Sequence, residues 1–264
     1  MEIPRNGFKR ALLNGDRQVG LFLGTASPYI ADMVAGAGFD WLLIDGEHGP
    51  NDLHTILVQL QVLAAYPVRP VVRVLDHDPA RIKQLLDVGA QSLMAPMVEN
   101  AQQAQALVRA MRYPPQGMRG VGTAMARAAH WNAVGDYFTE VERELCLLVQ
   151  IESVTGLKAL EEIAAVPGVD GVFIGPSDLA ASMGHLGNPG HPDVKAAVAD
   201  AIARVTAAGK AAGVFSADPA VAAAYGELGA RFLLVGVDTL LLRQAAAALA
   251  ARFTNGAGAT GAAY

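Results

Sequence analysis

Short apolar runs alternate with segments of helical period along almost the whole chain, and this alternation is the feature that most constrains the fold. The runs are apolar almost throughout rather than at every second residue, as expected for parallel strands that are covered on both faces. They predict eight strands, at about residues 19–23, 41–44, 70–74, 92–96, 146–151, 170–174, 212–216 and 232–236. Helices are predicted between them, near 28–37, 52–64, 79–88, 100–111, 154–165, 193–208, 219–228 and 238–252.

Four of these strands are introduced by similar tetrapeptides with glycine in second place. They are Ala-Gly-Phe-Asp (37–40), Val-Gly-Ala-Gln (88–91), Pro-Gly-Val-Asp (167–170) and Leu-Gly-Ala-Arg (228–231). The recurrence fits a βα unit that is reused around a ring. Eight βα units close naturally into a (β/α)₈ TIM barrel, and a chain of 264 residues is the usual size for one such domain. We therefore predict a single-domain α/β barrel over residues 1–254, with a doubly wound open sheet as the alternative.

The ends of the chain carry two further predictions. The Gly/Ala-rich residues 255–264 are expected to form a flexible C-terminal tail. The N-terminus has an early acid and no apolar core segment, which is not the pattern of a signal peptide.

Composition limits the classes of partner. The net charge is −5 and the Lys and Arg residues are scattered, so we expect no nucleic-acid partner. No apolar run approaches the roughly 18 residues of a membrane span, so no membrane partner is expected either. The single cysteine, Cys146, lies in an apolar run and is predicted to be a buried core residue that forms no disulfide. These features favour a cytoplasmic protein that acts on small molecules.

One connection, from 112 to about 140, is much longer than the others and contains Pro114-Pro115 and several glycines. Long connections are usually functional or disordered. The aromatic residues, His130 and the arginines of this segment favour an ordered lid or a contact between subunits.

Two carboxylates follow predicted strands. Glu152 comes after LLVQI and Asp178 after VFIGPS. In a barrel both would lie over the same face, where two carboxylates with waters suit Mg²⁺ or Mn²⁺. The alternative is that each acid caps the helix that follows it. Asp178 is a plausible cap, whereas Glu152 is a poor cap type and has the better-suited Ser153 beside it.

Three further residues could take part in chemistry. His48, in Asp45-Gly-Glu-His, is the best candidate base because the ordinary pKa of histidine lies near neutrality. Arg73 lies inside an apolar strand and must be paired, either with Asp45 on the neighbouring strand or with the carboxylate or enolate of a ligand. Asp87 ends a predicted helix, where the helix dipole disfavours an anion, so it is expected to have a cationic or N–H partner unless it is solvated.

The lysines argue against Schiff-base chemistry, which needs a lysine on the active face of the barrel. Lys210 precedes its strand, and Lys9 falls in a further predicted helix at the N-terminus. The other lysines fall within the helices predicted above: Lys83, Lys158 and Lys195. No GxGxxG-type fingerprint follows any strand, so a nucleotide cofactor is not expected. Carbonyl chemistry in this chain would need a metal as the electron sink.

Taken together, these motifs resemble the HpcH/HpaI family of metal-dependent (class II) pyruvate aldolases. The resemblance runs from about Phe8 to Phe253. It is carried by AGAGFDWLLIDGEHGPND, IKQLLDVGAQSLMAPMV, RYPPQGMRGVGTAMARA, LLVQIE, GVDGVFIGPSDLAASMG and VGVDTLLL.

The resemblance implies a role for each candidate residue. Glu152 and Asp178 correspond to the ligands of a divalent metal (Mg²⁺, Mn²⁺ or Co²⁺), and His48 corresponds to the general base. Arg73 corresponds to the residue that stabilises the enolate, and Asp87 to the carboxylate that raises the basicity of the histidine. Gln150 and the main chain at Ser177 correspond to substrate contacts. The family more often has Ala at the position of Ser177.

The resemblance also implies an activity and an assembly. The activity is reversible retro-aldol cleavage of a 4-hydroxy-2-oxo acid, such as 4-hydroxy-2-oxoheptanedioate, to pyruvate and an aldehyde, here succinate semialdehyde, in aromatic-compound catabolism. The assembly is a homo-hexamer, a trimer of dimers, with the C-terminal helix exchanged between subunits. The alternatives are an aldolase for sugar-derived acids such as 2-keto-3-deoxy-L-rhamnonate or 5-keto-4-deoxy-D-glucarate, a lyase acting on CoA thioesters, and a non-catalytic binding barrel.

Overall fold

Eight parallel strands pair in chain order, and the last strand pairs with the first, which closes the barrel. The computed structural model describes residues 1–254, so the expected flexible tail at 255–264 lies outside the described residues. The strands are β1 (Gln18–Leu23), β2 (Trp41–Asp45), β3 (Arg69–Arg73), β4 (Ser92–Ala95), β5 (Cys146–Ile151), β6 (Gly171–Ile174), β7 (Ala211–Phe215) and β8 (Ala230–Val237). The predicted (β/α)₈ barrel is confirmed, and the open-sheet alternative is wrong.

The helices of residues 1–254 lie outside the strands. They are α1 (Gly7–Asn14), α2 (Pro28–Ala35), α3 (Leu53–Leu63), α4 (Pro79–Asp87), α5 (Ala101–Met111), α6 (Tyr137–Glu144), α7 (Val154–Lys158), α8 (Leu160–Ala164), α9 (Pro176–Ser182), α10 (Pro192–Ala207), α11 (Pro219–Glu227) and α12 (Asp238–Ala251), with a 3₁₀ turn at Arg127–Ala129. None of them is both long and apolar enough to cross a bilayer.

Local capping explains several helix boundaries. Asp78 and Asp218 accept backbone N–H bonds at the starts of α4 and α11, each with Pro at the first helical position. Two helices were not predicted, because α6 and α9 are short and lie within connections. The helix predicted over 154–165 is interrupted at Ala159, which separates α7 from α8.

The apolar core has two parts. One lies between the strands and the surrounding helices. The other fills the inside of the barrel and includes Cys146, which is fully buried as predicted. At the end of the barrel where the strands begin, Phe8 of α1 packs on Trp41 and Phe232, with ring centroids 5.1 and 6.1 Å apart. Aromatic rings therefore close this end of the barrel.

The long connection lies at that same closed end, because it joins the end of α5 to the start of β5. It is ordered by turns, by the 3₁₀ turn and by α6. In its own chain it is therefore not a lid over the opposite end, where the strands finish.

Helix α12 packs on little of its own barrel. Asp238 at its start is buried, whereas Leu241, Leu242 and Leu249 expose 49%, 59% and 57% of their surface. Its main contacts with other elements are those with β1 and β8.

Candidate active site

The best-defined contact at the carboxyl ends of the strands joins Asp45 and Arg73. The register of β2 and β3 places these residues opposite each other. Arg73 Nε donates to Asp45 Oδ1 over 2.8 Å and Nη2 donates to Oδ2 over 2.7 Å, with both side chains buried. Burial opposes ionisation of Asp45, but the hydrogen bonds and charge of Arg73, together with the backbone N–H groups of Glu47 and His48, outweigh it and lower the pKa of the carboxyl. Of the two alternatives for Arg73, the structure shows the salt bridge.

Glu47 completes the arrangement around the guanidinium. Its Oε2 lies 3.0 Å from Arg73 Nη1, and the guanidinium carbon of Arg73 lies 5.0 Å from the centre of the Phe22 ring. Burial raises the pKa of Glu47 despite the nearby charge of Arg73. Asp45 also accepts the backbone N–H groups of Glu47 and His48, at 3.1 and 3.3 Å, and so fixes the turn that follows β2.

Glu152 is the buried carboxylate at the end of β5, with 3% of its surface exposed. Its Oε1 accepts the backbone N–H of Met97 at 2.8 Å, and its Oε2 accepts Gln150 Nε2 at 2.5 Å. Burial raises the pKa of Glu152 to about 7, with further upward contributions from the charges of Asp178 and Glu47. The side-chain oxygen of Gln150 is buried and has no hydrogen-bond partner in the described residues.

The capping alternatives for the two predicted ligands are wrong. Ser153, not Glu152, caps α7 by accepting the N–H of Gly156 at 3.0 Å. Helix α9 starts after Gly175 and has no side-chain cap, and Asp178 lies in its first turn with an exposed side chain. Ser177, the residue before Asp178, is exposed as well.

The site carries an excess of negative charge. Four carboxylates lie at this end: Asp45 and Glu47 form ion pairs with the guanidinium of Arg73, and the charge of Glu152 acts on it as well. The charge of the fourth, Asp178, acts on Glu47 and Glu152. A divalent cation would relieve the repulsion that adds to the effect of burial on the pKa of Glu152, and carboxylate oxygens suit a hard cation. Glu47, Glu152 and Asp178 do not all come within 4.8 Å of one another. The residues therefore fit a cation held by two of these acids with other ligands, rather than a closed cage.

His48 lies on the loop after β2, and 68% of its side chain is exposed. Its Nε2 is 3.9 Å from Glu47 Oε2. The structure therefore brings His48 to the same end of the barrel as Arg73, Glu152 and Asp178.

Asp87 is the predicted site residue that the structure does not bring to this end. It ends α4, close to where β4 begins, at the opposite end of the barrel from His48 of the same chain. Its Oδ1 accepts Arg119 Nη2 at 2.7 Å, so the expected cationic partner is present. The guanidinium of Arg119 is fully buried and lies 4.6 Å from the centre of the Tyr113 ring.

Three contributors to the site were not assigned by sequence reasoning. Glu47 stands between Asp45 and His48, and no sequence pattern separates its role from theirs. Met97 supplies a backbone N–H from a residue with φ of +51°, for which no sequence signal exists. Gly175 is needed because a Cβ there would overlap Glu152 Oε2 and lie 3.0 Å from Glu152 Cβ.

The five lysines all lie within the described residues, and none stands at the carboxyl end of a strand. Lys9 and Lys210 donate to the carbonyls of Leu145 and Val169, where strands begin. A Schiff-base lysine is therefore absent from the open end of the barrel in residues 1–254.

Comparison with known proteins decides the family. A profile described as "HpcH/HpaI aldolase/citrate lyase" matches residues 18–245. The chain belongs to this family. The chain is 59% identical over 257 residues to a hydroxypyruvate/pyruvate aldolase of Pseudomonas aeruginosa, covering 97% of this chain and 96% of that protein. It is 58% identical over 255 residues to a 4-hydroxy-2-oxo-heptane-1,7-dioate aldolase of Klebsiella pneumoniae, with coverage of 97% and 96%.

A solved structure of an HpcH/HpaI aldolase/citrate lyase family protein from Burkholderia cenocepacia has the same fold. It superposes with a TM-score of 0.89 at 43% sequence identity, covering 93% of this chain and 98% of that one. This member of the HpcH/HpaI family is therefore a carbon–carbon lyase of the class II pyruvate aldolase type. Aldolases of this class generally use a divalent metal, which agrees with the acidic site described above.

Proposed function

We propose that this protein is a divalent-metal-dependent aldolase that cleaves 4-hydroxy-2-oxoheptanedioate to pyruvate and succinate semialdehyde. The observation that carries the proposal is the cluster of four carboxylates at the open end of the barrel, two of which form ion pairs with Arg73. The relative from Klebsiella pneumoniae, named for this substrate, supports the choice of 2-oxo acid.

In this proposal Glu152 and Asp178 hold the cation, which is Mg²⁺, Mn²⁺ or Co²⁺. When bound, it would act as a Lewis acid toward the carboxylate and the 2-oxo group of the substrate. Gln150 is held beside Glu152 by its amide, and its unpartnered oxygen remains available to a hydrogen-bond donor. Gln150 and the main chain at Ser177 would contact the substrate.

Arg73 is proposed to stabilise the enolate. Asp45 binds it through Nε and Nη2, which fixes the plane of the guanidinium before the substrate arrives. The remaining nitrogen, Nη1, lies beside Glu47, whose carboxylate would have to yield to the developing charge of the enolate. The orientation of the guanidinium therefore needs no change as charge develops, and the reorganisation is limited to Glu47.

His48 is proposed to remove the proton of the 4-hydroxyl group. The C3–C4 bond then breaks, its electron pair passes into the pyruvate enolate, and the aldehyde is released. Protonation of the enolate at C3 gives pyruvate. The exposed position of His48 allows proton exchange with solvent.

Asp87 cannot contact His48 within one chain, because the two lie at opposite ends of the barrel. We propose that it acts across a subunit boundary in a homo-hexamer, a trimer of dimers, in which α12 is exchanged. The exposed leucines of α12 support this exchange.

The test is a coupled assay for pyruvate release from 4-hydroxy-2-oxo acids by metal-free protein. We expect no activity after EDTA treatment and recovery when Mg²⁺, Mn²⁺ or Co²⁺ is restored. Glu152→Gln should prevent the recovery. Activity that survives complete chelation would contradict the proposed mechanism.

The relative from Pseudomonas aeruginosa favours a second candidate, in which hydroxypyruvate replaces pyruvate as the enolate component. The two candidates are separated in the direction of bond formation. With succinate semialdehyde as the acceptor, kcat/KM for pyruvate and for hydroxypyruvate would be measured side by side. A preference for hydroxypyruvate would favour the second candidate. The sugar-derived acids are tested separately, as cleavage substrates in the pyruvate-release assay.

A further inference from the structure

A second group of ligand-type side chains lies outside the carboxylate cluster, in the connection between α9 and α10. Within residues 1–254, His185, His191 and Asp193 are the one group of three His, Cys, Asp or Glu residues whose ligand atoms all lie within 4.8 Å of one another. None of the three belongs to the proposed catalytic residues.

The distances in this group are close to those of a metal site. Asp193 Oδ2 lies 3.6 Å from His185 Nε2 and 3.7 Å from His191 Nδ1. Ligand atoms in a tetrahedral site with bonds of about 2.0–2.1 Å are separated by roughly 3.3–3.4 Å. The separations of the ligand atoms thus differ from those of a metal site by only a few tenths of an ångström.

The two imidazole rings are stacked, with centroids 3.6 Å apart and planes 14° from parallel. Each ring has a nitrogen near the same carboxylate oxygen. Because a metal lies in the plane of an imidazole that binds it, one of the two rings would have to rotate about its side-chain bonds for both to bind one cation. The loop that holds them is tied to α9, because the backbone N–H of His185 donates to Ala180 O over 2.7 Å. The group is partly exposed: 27% of the His185 side chain, 32% of the His191 side chain and 68% of the Asp193 side chain are accessible, so a cation could reach it from solvent.

We propose that His185, His191 and Asp193 bind a second cation of the Zn²⁺ type, separate from the catalytic one. Two imidazoles and one carboxylate suit Zn²⁺, Ni²⁺ or Cu²⁺, whereas Mg²⁺ and Mn²⁺ prefer all-oxygen sites such as the carboxylate cluster. The open fourth position would be filled by water.

Two features of the helix start limit the affinity. His191 is the N-cap of α10, and its Nδ1 accepts the N–H of Asp193 over a long 3.2 Å, so the cation would replace this bond. The positive end of the helix dipole also opposes a cation, which the charge of Asp193 offsets. The bound cation would cross-link the end of α9, the helix that carries Asp178, to the start of α10.

The test uses metal-free full-length protein titrated with Zn²⁺ by calorimetry, with Mg²⁺ in excess to occupy the carboxylate cluster. The variants are His185→Asn and His191→Asn, the second of which keeps an N-cap side chain. His54→Asn, on the exposed surface of α3, is the matched control. We expect wild type and the control to bind Zn²⁺, and both cluster variants to bind it at least about 10-fold more weakly.

A second series separates this site from the catalytic one. Glu152→Gln, which impairs the carboxylate cluster, should keep the same Zn²⁺ binding, and adding His185→Asn to it should remove that binding. The proposal is overturned if wild type binds no Zn²⁺ in excess Mg²⁺, or if the histidine variants bind it as wild type does. It is also overturned if Glu152→Gln alone removes all Zn²⁺ binding.

Discussion

The guanidinium of Arg73 is already bonded to Asp45 and paired with Glu47 in the absence of a ligand. Within residues 1–254 it is the one arginine or lysine that forms ion pairs with the carboxylate cluster, through Asp45 and Glu47. Its value to the reaction therefore depends on orientation as well as on charge. A lysine would keep the charge but lose the planar fork.

Arg73→Lys is expected to fold and to bind Mn²⁺, because a cation remains beside Asp45. Its kcat should fall by about 10²–10³, the usual cost of losing one fixed charge stabiliser. Steady-state pyruvate release measures this, and Arg81→Lys on the exposed face of α4 is the control. Near-normal turnover would remove Arg73 from the mechanism. Arg73→Ala is a poorer test, since stranding the buried Asp45 costs about 3–5 kcal/mol.

Glu152 predicts a pH dependence of the metal-free protein. Its pKa is raised to about 7 from the ordinary 4.5 by burial, so between these values the folded state holds more protons than the unfolded state. The stability that this group contributes is therefore lost as pH rises from about 4.5 to 7.

The melting temperature of wild type minus that of Glu152→Gln should accordingly fall between pH 5 and pH 8 in the presence of EDTA. Saturating Mn²⁺ should weaken this trend, because the cation favours the ionised carboxylate. Scanning calorimetry across this range measures both curves, and the other titrating groups are common to the two proteins. Parallel curves for the two proteins in EDTA would contradict the assignment.

Sequence reasoning found the residues that end strands, because their position follows from the parallel barrel. It left Arg73 between two alternatives, since only the register of β2 and β3 places Asp45 opposite it. The contact of Met97 with Glu152 could not be predicted, because it is made by the backbone N–H of a residue with positive φ.

At the scale of elements, the junction between β6 and α9 sets the position of Glu152. Gly175 leaves room for the Glu152 carboxylate and for Gln150, whose Nε2 would lie 3.1 Å from an added Cβ. The backbone of Gly175, with φ of −96°, would accept an alanine without strain, so a substitution there tests space alone.

Gly175→Ala is expected to fold and to bind Mn²⁺ at least about 10-fold more weakly, as seen when residues that orient metal ligands are changed. Calorimetric titration with Mn²⁺ measures the loss. Gly122→Ala is the control, because an added Cβ there meets nothing within 4 Å. Unchanged Mn²⁺ affinity in Gly175→Ala would mean that Glu152 does not hold the cation.

The eight strands and the principal helices could be predicted because their apolar runs and caps are local signals. Helices α6 and α9 could not, since each has only 8 or 7 residues and lies in a connection where periodicity is short. The position of Asp87 at the far end of the barrel follows from the βα order, whereas the role implied by the family resemblance requires a second subunit.

At the scale of the whole molecule, α12 leaves most of its leucine side chains exposed within one chain. An isolated helix of 14 residues is marginal in water, so its exposed leucines need a surface to pack on. Leu242→Glu should therefore convert the proposed hexamer to smaller species. Light scattering after size exclusion measures the mass, and Leu186→Glu, at a side chain that is 84% exposed, is the control. A Leu242→Glu protein of unchanged mass would argue against exchange of α12.

Because aromatic rings close the end of the barrel where the strands begin, ligands would enter and leave the site at the carboxyl ends of the strands. Glu152 lies buried at the inner end of this route and His48 is exposed at its entrance, so in the proposed mechanism the pyruvate part would occupy the inner position. The aldehyde should then leave first and pyruvate last. In cleavage assays pyruvate should then be a competitive inhibitor with respect to the 4-hydroxy-2-oxo acid. The aldehyde should be a noncompetitive inhibitor, as expected for the first product of an ordered release.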